Sequence, residues 1–145
     1  MLADANIFLR FLRNDHPAHS AAARILMEAA ARGSVLLRVP EVVVVDAFYT
    51  LTAPRMGVAR PLSARQLAAL LQQPGLDVQD RTRVFDILTV CETKNIDYCD
   101  AALIVEARRE KLPILSYDRD FAKAPDVTSV SPIEWIKAHQ LSHLK

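Results

Sequence analysis

Four aspartates stand where an apolar stretch gives way to a turn or a helix start, and carboxylates placed in this way can hold a divalent cation. Asp4 follows Leu2-Ala3 and is two residues ahead of Asn6. Asp46 follows Val42 to Val45 and precedes Ala47-Phe48, Asp100 lies between Cys99 and Ala101-Ala102-Leu103, and Asp118 follows Ile114-Leu115-Ser116-Tyr117. An ionised carboxylate is costly in apolar surroundings unless a cation or a metal pairs with it. If the fold brings three or four of these acids to one mouth, their mutual repulsion calls for a divalent ion. Oxygen-only ligation points to Mg²⁺ or Mn²⁺. The chemistry such a site serves is metal-assisted phosphodiester cleavage, in which bound ions polarise the phosphoryl oxygen, supply hydroxide and neutralise the leaving oxygen.

Each acid taken singly has a plainer reading. Asp4 and Asp100 could cap helices, and Asp118 could be a turn residue. Asp97 and Asp120, close by in the chain, read as solvated turn acids.

The elements that must position these acids alternate between strand and helix. Leu2-Ala3 reads as the end of a first strand, and Ile7, Phe8, Phe11 and Leu12 recur at helical spacing up to about Arg13. Asn14-Asp15-His16-Pro17 breaks that helix. A second, alanine-rich helix runs from Ala18 to Arg32, with Ala22, Ile25, Leu26 and Ala29 inward and Gly33 as its stop. Val35 to Val39 reads as a buried strand. In Pro40 to Leu51, four consecutive valines favour a strand, whereas a proline and an acid at the start and the absence of a turn signal favour a helix.

Beyond a loop from Pro54 to Pro61, Ser63 is placed to cap a helix from Ala64 to Gln73. Leu76 to Val78 is a short strand, and Asp80 opens a helix to about Lys94. Tyr98 to Lys111 is a helix with Ala101, Leu103, Ile104 and Ala107 inward. Ile114 to Tyr117 and Val127 to Val130 are strands, and Pro132 starts a terminal helix. Alternation of this kind gives a parallel sheet covered on both faces, and in open α/β sheets ligands bind outside the carboxyl ends of the strands.

With 145 residues, 51% hydrophobic and 24% charged, the chain fits one domain over 1–145. The net charge of +1 announces no polyanion partner by bulk field, although the basic residues are 13 Arg and 5 Lys, and arginine's planar fork suits phosphate. Cys91 and Cys99 lack metal-site or disulfide-scaffold spacing and read as buried free thiols. No run of about 18 apolar residues and no cleavable leader is evident, so a cytoplasmic location is expected.

At this set of residues the sequence resembles the PIN-domain ribonucleases, and among them the VapC-type toxins of toxin–antitoxin pairs. Asp4-Ala5-Asn6 followed by Ile7-Phe8-Leu9-Arg10 resembles the family's opening D-x-N and apolar helix. Pro40 to Leu51 is similar to its second motif, a helix with an acid six residues after the proline. Asp97-Tyr98-Cys99-Asp100-Ala101-Ala102-Leu103 resembles the third, whose functional acid falls on Asp100, and Ser116-Tyr117-Asp118 the Ser/Thr-x-Asp of the fourth.

The resemblance implies a three-layer α/β/α fold with a central parallel sheet of about five strands, a helix at the valine segment, and a homodimer. It also implies an endoribonuclease acting on single-stranded or loop RNA and a VapB-like antitoxin as partner. Two residues depart from the pattern. The second motif usually carries Glu where this chain has Asp46, one methylene shorter. Glu41 is five residues earlier, out of phase on a helix, and is the lesser alternative. Ala5 replaces the Ser or Thr often found between the first Asp and Asn.

On this reading Asp4, Asp100 and Asp118 are metal ligands, and Asp46 is a ligand or the group that orients the attacking water. Asn6 and Ser116 hydrogen-bond the carboxylates. Arg10, Arg13, Arg119 and Lys123 are candidate contacts to RNA phosphates, each equally readable as solvated surface. Trp135 and Tyr98 could stack on bases or pack in the core. Two other readings remain: a catalytically weak PIN-like module that binds RNA or a partner, and an aspartyl-nucleophile phosphatase. The second is disfavoured because Asn6 stands where such enzymes want an Asp.

Overall fold

A computed structural model describes residues 1–141, so the last four residues of the domain expected over 1–145 lie outside the described part. The elements are α1 (Ala5–Arg13), α2 (Pro17–Ala31), β1 (Leu37–Val39), α3 (Glu41–Thr52), α4 (Arg60–Leu70) and β2 (Leu76–Val78). They continue as α5 (Arg81–Lys94), α6 (Tyr98–Glu110), β3 (Ile114–Leu115), a 3-10 helix (Arg119–Lys123), β4 (Ser129–Val130) and α7 (Pro132–Ala138). The class is α/β. No helix among the described residues is long and apolar enough to cross a membrane.

The strands are shorter than their apolar runs imply. β1 pairs in parallel with β2, Leu37 opposite Leu76 and Val39 opposite Val78, and β3 pairs in parallel with β4. Leu2 makes one isolated parallel bridge to Arg38 in place of a first strand. Among the described residues the ladders form two two-stranded sheets, where the sequence leads one to expect a single sheet of about five strands. Segments of two or three residues make few ladder bonds, so helix packing carries most of the organisation. The direction of the pairing still matters for function. Because β1 is parallel to both Leu2 and β2, the chain leaves the sheet on one side at Asp4, at Pro40-Glu41 and at Asp80.

The valine segment is a helix. Val44, Ala47, Phe48 and Leu51 recur at helical spacing and are all buried, forming the stripe that seats α3 in the core, while Val42 is 72% exposed. Burial of such a stripe outweighs the β preference of valine, which amounts to a fraction of about 1 kcal/mol per residue.

Three local expectations are corrected. The inward face of α2 is Ser20, Ala23, Met27 and Ala30 rather than Ala22, Ile25, Leu26 and Ala29, and Ile25 is largely exposed. Small residues decide this. Gly75 packs so closely on α2 that a Cβ there would lie 2.7 Å from the Ala30 backbone, and its N–H donates to the Ala30 carbonyl at 2.8 Å. Helix α4 starts at Arg60, ahead of the expected Ala64, with Pro61 in its first turn, where a missing N–H is harmless. Ser63 is therefore inside the helix and buried rather than at its cap. Leu103, expected inward, is exposed on α6.

Candidate metal centre

Among the described residues, one set of possible metal-binding side chains comes together: Asp100, Asp118 and Asp120, with one carboxylate oxygen from each lying within 4.8 Å of the others. Helix α6 supplies Asp100 from its first turn, and the segment that leaves β3 supplies the other two.

Local hydrogen bonding explains how each acid is presented. Asp97, not Asp100, caps α6, its Oδ1 accepting the Asp100 N–H at 2.9 Å. The capping role is thus filled one turn earlier and the Asp100 carboxylate is left for other partners. After β3 the Ser116 Oγ accepts the Asp118 N–H at 3.0 Å, and the Asp118 Oδ1 accepts the Asp120 N–H at 2.8 Å. The turn therefore folds Asp118 and Asp120 to the same side. Ser116 holds the backbone of this turn rather than a carboxylate.

Electrostatics mark Asp100 as the strained member. Partial burial, and then the carboxylates of Asp97, Asp118 and Asp120, push its pKa above the usual aspartate value, while Arg60 at the start of α4 pulls the other way. Lys123 lies 3.0 Å from Asp120 Oδ1 and also donates to the Asn95 carbonyl at 3.2 Å. Three carboxylates, Asp100 and Asp120 partly buried and Asp118 exposed, offer only oxygen donors and fit a hard divalent cation such as Mg²⁺ or Mn²⁺.

Asp4 and Asp46 stand outside the group of three. Asp4 occupies the N-cap position of α1, yet its carboxylate caps no helix N–H and instead accepts the Asn6 Nδ2–H at 3.1 Å. It is exposed at the carboxyl end of the Leu2 bridge. Asp46 is exposed on α3, one turn before Tyr49, whose hydroxyl accepts the Cys99 N–H beside Asp100 at 3.1 Å. Glu41, the alternative to Asp46, is taken up elsewhere, by an ion pair with Arg83 and a hydrogen bond from Tyr98.

Of the basic residues proposed to meet phosphate, Arg10 pairs with Asp15 at 2.9 Å and lowers the Asp15 pKa. Arg13 and Arg119 are exposed, and Arg119 sits between Asp118 and Asp120 with no ion pair among the described residues. Tyr98 is buried, which excludes it as an exposed base-stacking platform, whereas Trp135 is partly exposed and stacks on His139 with ring centroids 4.1 Å apart. Arg60 belongs to no motif in the sequence, and Asp120 reads there as a turn acid. The two-residue spacing of Asp118 and Asp120 in a turn was the available signal.

The family model for the PIN domain matches residues 1–127. No curated protein matches the sequence.

Proposed function

The chain belongs to the PIN domain family of nuclease-type domains, which generally depend on divalent metal, and from that premise we propose that it is a Mg²⁺- or Mn²⁺-dependent endoribonuclease cleaving single-stranded or loop RNA. The observation that carries the proposal is the convergence of Asp100, Asp118 and Asp120, from two separate parts of the chain, to within 4.8 Å. Asp100 and Asp118 would hold the ion, with Asp120 beside them, and Asp4, exposed after the Leu2 bridge, is the further ligand in this reading. Asp46 completes the site as a ligand or by orienting water. A divalent ion bound there would polarise a phosphoryl oxygen and make a water at the site easier to deprotonate.

The chain's own groups do the rest. Asn6 fixes the Asp4 carboxylate, Ser116 fixes the turn that aims Asp118, and Arg13 and Arg119 offer exposed guanidinium groups to the phosphate backbone. We read the protein further as the toxin of a VapC-type pair, active as a homodimer in the cytoplasm and silenced by a VapB-like antitoxin that covers the acid mouth.

The test is incubation of purified protein with end-labelled single-stranded RNA and Mn²⁺. Cleavage is expected, and it should vanish in EDTA and in Asp100→Asn. Activity that persists under either condition refutes the mechanism. RNA that is bound but never cut would make the protein a binding module of the same fold.

A further inference from the structure

The first turn of α6 carries Asp100 and is tied to α3 at two points. Tyr98, 1% exposed, donates its hydroxyl to Glu41 Oε1 at 3.1 Å, and Glu41 is held in turn by its ion pair with Arg83 of α5. One residue on, the Cys99 N–H donates to Tyr49 Oη at 3.1 Å. Glu41 and Tyr49 are both on α3 with Asp46 between them, so the two ties span about 12 Å of the helix at 1.5 Å per residue.

The opening of a helix leaves backbone N–H groups without partners in the helix itself. In α6 the Asp100 N–H goes to Asp97, which is local, but the Cys99 N–H goes to a side chain from the helix that bears Asp46. Tyr49 is 36% exposed, so its ring is not a main core filler. What distinguishes the residue is its hydroxyl. Burial of that hydroxyl and the nearby Asp97 carboxylate keep the phenol protonated, with its pKa raised above the ordinary value. It therefore stays a neutral acceptor for the amide across the working pH range.

We propose that Tyr49, backed by the Glu41–Tyr98 tie, is a positioning residue. Through the Cys99 amide it fixes where α6 presents Asp100 relative to Asp46, so affinity for the divalent ion depends on a hydroxyl that touches neither ion nor RNA. The inference rests on the metal reading above. Tyr49→Phe keeps the ring and removes the acceptor, which makes it the informative variant.

Three readouts on the full chain test it: Mn²⁺ titration by calorimetry, exchange of the Cys99 amide followed by NMR without metal, and thermal unfolding. Tyr49→Phe should weaken Mn²⁺ binding about five- to tenfold, the size expected for one amide hydrogen bond. It should also speed Cys99 exchange. Tyr98→Phe should weaken Mn²⁺ in the same direction, and Glu41→Gln, which keeps an acceptor oxygen, should bind more tightly than Glu41→Ala. Equal Mn²⁺ affinity in Tyr49→Phe and the parent overturns the positioning role and leaves the metal reading intact, whatever happens to the unfolding midpoint. Unchanged Cys99 exchange in Tyr49→Phe overturns the tie itself. No Mn²⁺ binding by the parent protein overturns the metal reading, and the positioning role with it.

Discussion

Replacing Asp100 by asparagine should make the metal-free protein more stable while removing its response to metal. The folded state raises the Asp100 pKa above the ordinary 3.8, with burial the first cause and the neighbouring acids the next. A carboxylate shifted in this direction favours the folded state below its ordinary pKa. That contribution is lost as pH rises through the raised value, and at neutral pH the ionised group opposes folding.

The size follows from geometry. Unit charges at the 4.8 Å limit of the cluster repel by about 0.9 kcal/mol in a medium like water. Asp118 and Asp120 together thus contribute about 2 kcal/mol, which roughly 0.1 M salt cuts to about half. Asparagine also forfeits the favourable interaction of an acid with the start of α6, about 0.3–1 kcal/mol, and the attraction of Arg60. The balance is about 1 kcal/mol in favour of the variant at low salt, or roughly 2–4 °C in the unfolding midpoint of a domain of this size.

Thermal unfolding in EDTA at pH 7 measures it, and repetition near pH 4 should shrink the difference. Mn²⁺ at 100 times its dissociation constant should then stabilise the parent by about 2.7 kcal/mol and the variant by far less. An asparagine variant that is less stable at pH 7 in EDTA, or that keeps the full Mn²⁺ stabilisation, would refute the reasoning.

Other predictions concern neighbouring features. Asp46→Glu lengthens the side chain by one methylene from an exposed position on α3 and should keep or raise RNA cleavage; a collapse of activity in that variant would show that the site does not accept the longer carboxylate there. Ser63 is fully buried with no hydrogen-bond partner for its hydroxyl among the described residues, so Ser63→Ala should raise stability to urea by about 1 kcal/mol, and a loss of stability would mean the hydroxyl has a partner. Of the two thiols, both expected to be buried, Cys99 is exposed in the first turn of α6, whereas Cys91 is buried and pushed up to about 12, chiefly by desolvation. A disulfide reagent should accordingly titrate one thiol quickly in the native protein and the second only on unfolding, and fast reaction of both would contradict the placement of Cys91.

The sequence carried the elements better than their faces. The breaks at Asn14 to Pro17 and at Gly33, and the helix starts after Asp80 and at Tyr98, were legible because they depend on residues that act locally. The valine run was ambiguous because propensity and punctuation conflict there, and the buried stripe of Val44, Ala47, Phe48 and Leu51 resolves it only when there is a core to receive it. The face of α2 was unreadable for another reason: alanine on every side gives no apolar direction, and the choice falls to the close approach of Gly75 to Ala30. Ser63 misled because a serine after a proline looks like a cap, whereas Pro61 is itself within the first turn.

For the site, Asp100 and Asp118 were legible and the structure groups them. Asp120 was less so: its two-residue spacing from Asp118 is visible, but its place in the group depends on a turn held by Ser116 and Asp118. The Tyr49 and Glu41 ties join residues some 50 positions apart in the chain, beyond the reach of any local rule.

The central claim is that these acids form a divalent-metal site. Crystals of the protein grown with Mn²⁺, with diffraction recorded at the manganese edge, test it most directly. The account predicts an anomalous peak in contact with the carboxylates of Asp100 and Asp118, absent in Asp100→Asn. No peak there, or a peak elsewhere on the surface while the acid cluster stays free of metal, would contradict it.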